Sequence, residues 1–247
     1  MWILILIVLA VVVYFVMSQA SSSNQPSKAS SRTKANQVDY SNLEVSLESD
    51  VPGQDYTHLR NLLAEGKWKE ADKETGRMML LIGMIEKQRI IREGEYIGSD
   101  SGREDCLTIS SFRFLPCKDI CTIDRLWLKY SNGRFGFSVQ KRIASEIRDN
   151  ALSILLSGLE KYNYEADQIG RTLERRIGWY TPSDEMKIHN DLTFSIQAPY
   201  GHLPTANYCS EGISYSRKNM SFETEEVFGH LNLLAILNRL SICGIAL

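Results

Sequence analysis

Proline, cysteine and net charge are all in short supply in this sequence, and each shortage excludes something. Six prolines in 247 residues leave most of the chain free to form helix. Three of them, Pro182, Pro199 and Pro204, fall in one late region. Cys106, Cys117, Cys121, Cys209 and Cys243 are odd in number and irregularly spaced, in a chain too long to need disulfide staples. Reduced thiols are the expectation. Twenty-eight basic residues against 30 acidic ones give a net charge of -2 and no basic stripe, which argues against nucleic acid as a partner. The four histidines form no HExxH pattern. There is no nucleophile elbow, no phosphate-cradling glycine motif and no pair of catalytic carboxylates. Cys117 and Cys121 share a CxxxC spacing but lack two further ligands for a structural zinc, so they read as half-buried thiols. His202 in "YGHLP" reads as a loop-ordering hydrogen-bonding residue ahead of a metal ligand. The chain is therefore expected to be neither an enzyme nor a metalloprotein.

What is present begins with "MWILILIVLAVVVYFVM", uncharged and apolar. Seventeen helical residues reach about 25 Å, and Ser18, Gln19 and Ala20 extend that to about 30 Å, the thickness of a bilayer core. No basic residue precedes the run and it exceeds an ordinary signal core, so an uncleaved anchor is favoured over a signal peptide cut after "SQA". Lys28, Arg32 and Lys34 follow the span, which places the body on the cytoplasmic or stromal side. The expected organisation is a transmembrane anchor over residues 1–20, a flexible linker over 21–53 and a helical domain over 54–247. The linker is rich in Ser, Asn, Gln and Lys and has little to bury.

The domain reads as all-α. Tyr56, Leu59, Leu62 and Leu63 mark one helix face, with Asp55 as a cap and Gly66 as a stop. Trp68, Ala71, Thr75, Met78 and Met79 mark a second. Further helices are expected after Pro116, over "SVQKRIASEIRDNALSILLSGLEKY", over "YEADQIGRTLERRIGW", and from Ser221 to the end. Two long irregular loops interrupt them: one around "REGEYIGSDSGRED", the other over about residues 179–204. Loops of that length inside a compact domain tend to carry function.

Between the loops lies "YSNGRFGFSVQKR", a turn followed by two rings flanking a glycine. Phe135 and Phe137 need an apolar partner, either the protein's own core or a flat ligand, and Gly136 permits a close approach or a positive φ. Phe112, Phe114, Leu115, Phe194 and Leu203 join them as large apolar groups on irregular backbone. Core packing is the plain reading of most. Loops nevertheless seldom carry so many unless they cover something. Arg134, Lys141, Arg142 and Arg217 are candidate rim charges.

"DYTHLRNLLAEGKWKEADKET", "CTIDRLWLKYSNGRFGFSVQKRI", "RIGW" and "DLTFSIQAPYGHLP" together resemble the genomes-uncoupled-four family of porphyrin-binding regulators of magnesium chelatase. The resemblance runs from about Asp55 to Pro204. It implies a compact helical domain shaped like a cupped hand. It further implies a greasy cleft for protoporphyrin IX or magnesium protoporphyrin under two covering loops. It makes the large, porphyrin-binding subunit of magnesium chelatase the partner and chlorophyll synthesis the setting, on a cyanobacterial or plastid membrane. Phe112, Phe114, Leu115, Phe135, Phe137, Phe194 and Leu203 become candidate ligand-binding residues. Met186 joins them, standing where the family usually has tryptophan. Arg217 joins them from a region in which the family holds a basic residue near the cleft. The inserted first loop and Met186 mark a divergent member. The alternative implied is an interaction scaffold or tetrapyrrole-status sensor that no longer activates the chelatase.

Overall fold

The computed structural model describes residues 39–94, 106–107, 109–151, 153–154, 164–205 and 222–245. The apolar run over residues 1–17, residues 95–105 of the insertion in the first loop and Arg217 lie outside them, whereas Phe112 to Pro116, the part expected to cover a ligand, is described. Among the described residues no helix is long and apolar enough to cross a membrane.

The described chain is helical, as expected. In order it forms α1 (Thr57–Ala64), α2 (Trp68–Arg92), α3 (Ile109–Arg113), α4 (Cys117–Tyr130), α5 (Phe137–Ile147), α6 (Tyr164–Arg176), a 3₁₀ turn (His189–Asp191) and α7 (Phe222–Ile242). Extended pairing among the described residues is confined to isolated bridges such as Glu48 with Asp55 and Tyr180 with Met186. Helix α1 packs on α2 and α4; α7 touches α3, α4, α5 and α6. Local chemistry explains the helix ends. The Asp55 carboxylate accepts the N–H of Thr57 at 2.7 Å, and Gly66 turns the chain into α2 with φ +68°. The long helix expected after Ser138 instead breaks at 148–150, where Asn150 takes φ +59°. Asn tolerates the left-handed region, and "RDN" carries no apolar periodicity to resist a turn.

Residues 39–53, assigned by composition to the linker, pack against the domain. Val51 is buried, and the Tyr56 amide donates to the Leu47 carbonyl at 2.8 Å. Lys129 Nζ donates to the Leu43 carbonyl at 2.8 Å. At the base of this contact Tyr56 Oη donates to Asp119 Oδ1 at 2.8 Å, and burial with the Asp119 charge pushes the phenol far up.

The cysteines overturn the reduced-thiol expectation. Cys117 at the start of α4 is bonded to Cys243 just past α7, across 126 residues. Cys106 is disulfide-bonded too. Spacing along the chain could not reveal this, because packing of α7 against α4 brings the two sulfurs together. Cys121 is the free thiol of the CxxxC pair; it is half-buried, and desolvation raises its pKa. Two further ties hold α7 and the residues just after it, one to Leu115 ahead of α4 and one to α5. Arg239 donates from Nε to the Leu115 carbonyl at 2.8 Å and from its terminal nitrogen at 2.5 Å. Lys141, almost buried, donates to the Ile245 carbonyl at 2.8 Å, and desolvation lowers its pKa.

Candidate functional site

The opening rings of the stretch after Tyr130 face inward. Phe135 and Phe137 are fully buried. Phe135 meets Trp68 edge-on at 5.5 Å and Trp127 at 6.3 Å between ring centroids, an arrangement aromatic quadrupoles favour. Trp127 is fixed in turn by its Nε1–H, which donates to Thr75 Oγ1 at 3.0 Å.

Gly136 has a specific reason to be glycine. Its φ is +135°, and a Cβ there would lie 2.9 Å from Asp124 Oδ1. That same oxygen accepts the Ser138 N–H at 2.8 Å, so Asp124, from α4, caps the N-terminus of α5 in place of a local residue. What comes close to Gly136 is thus the chain's own carboxylate. Burial pushes the Asp124 pKa up, against the lowering effect of the amide hydrogen bonds. Gly136→Ala forces a conformation open essentially to glycine alone and should cost about 1–3 kcal/mol. Urea unfolding measures it, and an unchanged unfolding free energy would mean that alanine adopts this conformation without strain.

"RFGFSVQ" and "APYGHLP" prove to be two sides of one internal contact. The Gly201 N–H donates to the Arg134 carbonyl at 2.9 Å, and the Gly136 N–H to the Leu203 carbonyl at 3.0 Å. Gln140 Nε2 donates to the carbonyls of Gly201 and Pro204 at 2.9 and 2.8 Å. Arg134 Nε donates to the Ala198 carbonyl at 2.7 Å while its guanidinium lies over the Tyr200 ring at 4.4 Å. Arg134 is therefore a clamp on the second loop and not a free rim charge.

Other ties fix the loop over residues 177–205 along its length. Trp179 Nε1 donates to the His202 carbonyl at 2.9 Å. Tyr180 bridges Met186 in a small hairpin, whose tip Asp184 pairs doubly with Arg175 at 2.6 and 2.8 Å. On α2, the buried Asp72 accepts the Thr205 N–H at 2.7 Å, Thr205 Oγ1–H at 2.8 Å and His189 Nε2 at 2.9 Å.

His202 fulfils the loop-ordering reading. Its Nδ1–H donates to the Ile177 carbonyl at 2.6 Å and its Nε2 accepts the Thr193 N–H at 3.1 Å, which requires a neutral ring. Desolvation lowers its pKa, outweighing the Ile177 bond that raises it. Its contribution to stability is fully present above the unfolded pKa of about 6.5 and is lost as pH falls through the lower folded value. Acidification below about pH 6 should therefore destabilise wild type more than His202→Gln. Unfolding midpoints across pH 5–8 test this, and parallel curves would remove His202 as the acid-sensitive tie.

The candidate ligand-binding residues thus divide. Phe112, Phe114, Leu115, Phe135, Phe137 and Leu203 are buried in the core. Met186 and Phe194 are half-buried, packed against that core from the second loop. Around them the loop exposes Ile188 at 42% and Ile196 at 36%. Lys69 Nζ sits 5.4 Å from the Phe194 ring centroid, and His189 lies 5.0 Å from it, ring to ring. Among the described residues the second loop is therefore a frame of internal polar ties that leaves Met186 and Phe194 half-buried and Ile188 and Ile196 exposed. Sequence reasoning missed Asp72, Asp124 and Gln140, which hold that frame. A signal did exist: Asp72 shares a helix face with Trp68 and Thr75, and Asp124 with Ile120 and Trp127. A carboxylate on an apolar stripe must find buried partners.

Residues 48–221 match the family model described as GUN4-like. A tetrapyrrole-binding chloroplast protein of Arabidopsis thaliana is 27% identical over 159 residues, covering 60% of this chain and 47% of that protein. A Ycf53-like protein of Synechocystis is 28% identical over 155 residues, covering 63% and 52%. The chain thus spans about half the length of the curated relatives it matches. The solved structure of GUN4 from Chlamydomonas reinhardtii aligns with a TM-score of 0.44 at 22% identity, over 79% of this chain and 95% of that one.

Proposed function

The chain belongs to the GUN4-like family, and on that premise we propose that it binds a tetrapyrrole, protoporphyrin IX or magnesium protoporphyrin, without catalysing a reaction on it. One observation carries the reading beyond membership: the second loop exposes or half-exposes Met186, Ile188, Phe194 and Ile196 while polar ties fix its backbone. A porphyrin is a flat apolar plate with carboxylates at one edge. A preordered apolar face with cations near its margin complements it. The finer reading is a carrier that stimulates magnesium chelatase through the chelatase's large subunit, tethered to a membrane by residues 1–20. The burial of Phe112, Phe114 and Leu115 favours a second reading, an interaction scaffold or status sensor, because among the described residues it leaves these three candidate ligand-binding groups inside the core.

Titration of the chain with protoporphyrin and magnesium protoporphyrin tests the first reading. Saturable quenching of tryptophan with a shifted pigment absorbance is expected, and non-saturable partition of both pigments would leave the scaffold. Arg217 is proposed to meet a propionate. A charge-assisted bond contributes about 1.5–3 kcal/mol, so Arg217→Ala should raise Kd about 10- to 100-fold for the acid and leave the esterified porphyrin unchanged. Equal discrimination between acid and ester by mutant and wild type would remove Arg217 as the clamp.

A further inference from the structure

We infer that Cys117, Cys121 and Cys243 form a thiol–disulfide exchange site, at which Cys243 passes from Cys117 to Cys121, one helical turn along α4. Pigment binding has no part in this step.

The three cysteines are placed for it. Cys117 and Cys121 stand four residues apart on α4, so they share a helix face with Cβ atoms about 5–6 Å apart. Cys243 is bonded to the first, and the second is a free thiol. All three residues are half-buried, so neither the bond nor the thiol is sealed in the core.

Two arguments choose the direction. Attack of the Cys121 thiolate on Cys117 would close a ring within α4, where the Cβ atoms stand farther apart than the roughly 3.5–4.5 Å that a disulfide allows. Attack on Cys243 instead expels Cys117, the first residue of α4. No side chain caps that helix end, whose N-cap is Pro116, so its free amides and the positive end of the helix dipole favour a thiolate there. The acidic side chain of that turn, Asp119, is occupied inward by Tyr56. A thiol of lowered pKa leaves faster. The bond between Cys117 and Cys243 breaks as one between Cys121 and Cys243 forms. The proton that Cys121 loses to water is matched by one that Cys117 takes up, and no oxidant or reductant is consumed. Desolvation raises the Cys121 pKa, with Asp124 adding to it and Arg125 opposing, so the step is slow at neutral pH and promoted by base.

The two positions differ in what they hold. With Cys243 on Cys117, Arg239 pins the Leu115 carbonyl just ahead of α4, and Lys141 pins the Ile245 carbonyl just past Cys243. Four residues along α4 is about 6 Å, farther than either hydrogen bond can stretch. These bonds make Cys117 the resting partner. Beyond Cys243 the chain has room to move, since nothing described lies within 4 Å of where a Cβ on Gly244 would stand. Exchange therefore releases the segment Phe112 to Pro116 from the Arg239 grip.

The full chain, incubated at pH 7 and at pH 9 without added thiol, is quenched in acid, alkylated and mapped by peptide mass spectrometry. At the start Cys121 should be alkylated and Cys117 should not. At pH 9 alkylated Cys117 and a Cys121–Cys243 peptide should appear together, at least about 10-fold faster than at pH 7 and at a rate independent of protein concentration. Arg239→Ala, its folding checked by circular dichroism, should raise the ratio of the Cys121-bonded to the Cys117-bonded form about 10-fold, the worth of one charge-assisted hydrogen bond. The wild-type map decides the exchange even where that variant fails to fold. If the Cys117–Cys243 bond is only a staple, Cys117 stays unlabelled at both pH values, which overturns the inference. Pairing of Cys121 with a cysteine other than Cys243 overturns it, as does labelling of Cys117 in Cys121→Ser. An unchanged ratio in folded Arg239→Ala overturns the link to the Phe112–Pro116 segment.

Discussion

Cys117→Ser combined with Cys243→Ser is expected to lower the free energy of unfolding by about 5 kcal/mol. The bond spans 126 residues, and closing a loop of that size removes about that much entropy from the unfolded chain in the chain-entropy account. Few single features of a domain with a typical stability of about 5–15 kcal/mol weigh as much. The paired variant is the right probe, because a reductant would also attack the bond at Cys106. The bond closes a joint that the Arg239 and Lys141 bonds to backbone carbonyls already hold, so the helices should still form. Urea unfolding followed by circular dichroism measures the change. A loss below about 1 kcal/mol would mean that the unfolded chain is already compact enough to keep these ends together.

Phe135→Ala is expected to cost about 3–5 kcal/mol, the usual range for emptying a buried aromatic site. Its ring is fully buried against Trp68 and Trp127, so neither neighbour can collapse into the space without losing its own contacts. Any loss of pigment binding in this variant would follow from the loosened fold. Phe194→Ala should behave differently. That ring is half-buried on the second loop, so its removal should lower the unfolding midpoint clearly less than Phe135→Ala does and weaken binding directly. Comparing midpoint and affinity for the two variants separates frame from face. Equal destabilisation would place Phe194 in the core with Phe135.

Helix periodicity was legible because amphipathic faces must point at one core. Leu59 and Leu63 on α1, and Ala71, Thr75, Met78 and Met79 on α2, are buried as their spacing requires. The glycine between two rings was legible as a close approach, and what approaches it was not. Asp124 reaches Gly136 from the preceding helix, a contact that depends on how the 131–136 turn folds back. The disulfide was illegible for the same reason. The candidate site was legible as a region. The split within it between buried rings and a presented loop depends on Asp72, Gln140 and Arg134, polar residues that tie the loop from beneath. Nothing in an apolar inventory distinguishes Phe135 from Phe194; only the third dimension does.

The account's central claim is that the second loop is a preordered apolar face that receives a tetrapyrrole. The most direct measurement is porphyrin titration of Ile188→Ser with Ile196→Ser beside wild type, with the unfolding midpoint recorded on the same preparations. Both side chains are exposed, so the midpoint should move by less than about 1 kcal/mol equivalent. A ligand can cover only the 42% and 36% of these side chains still exposed, which together contributes about 1–2 kcal/mol, so binding should weaken about 10-fold. Full affinity in a folded double variant would contradict the claim and place the pigment elsewhere on the chain.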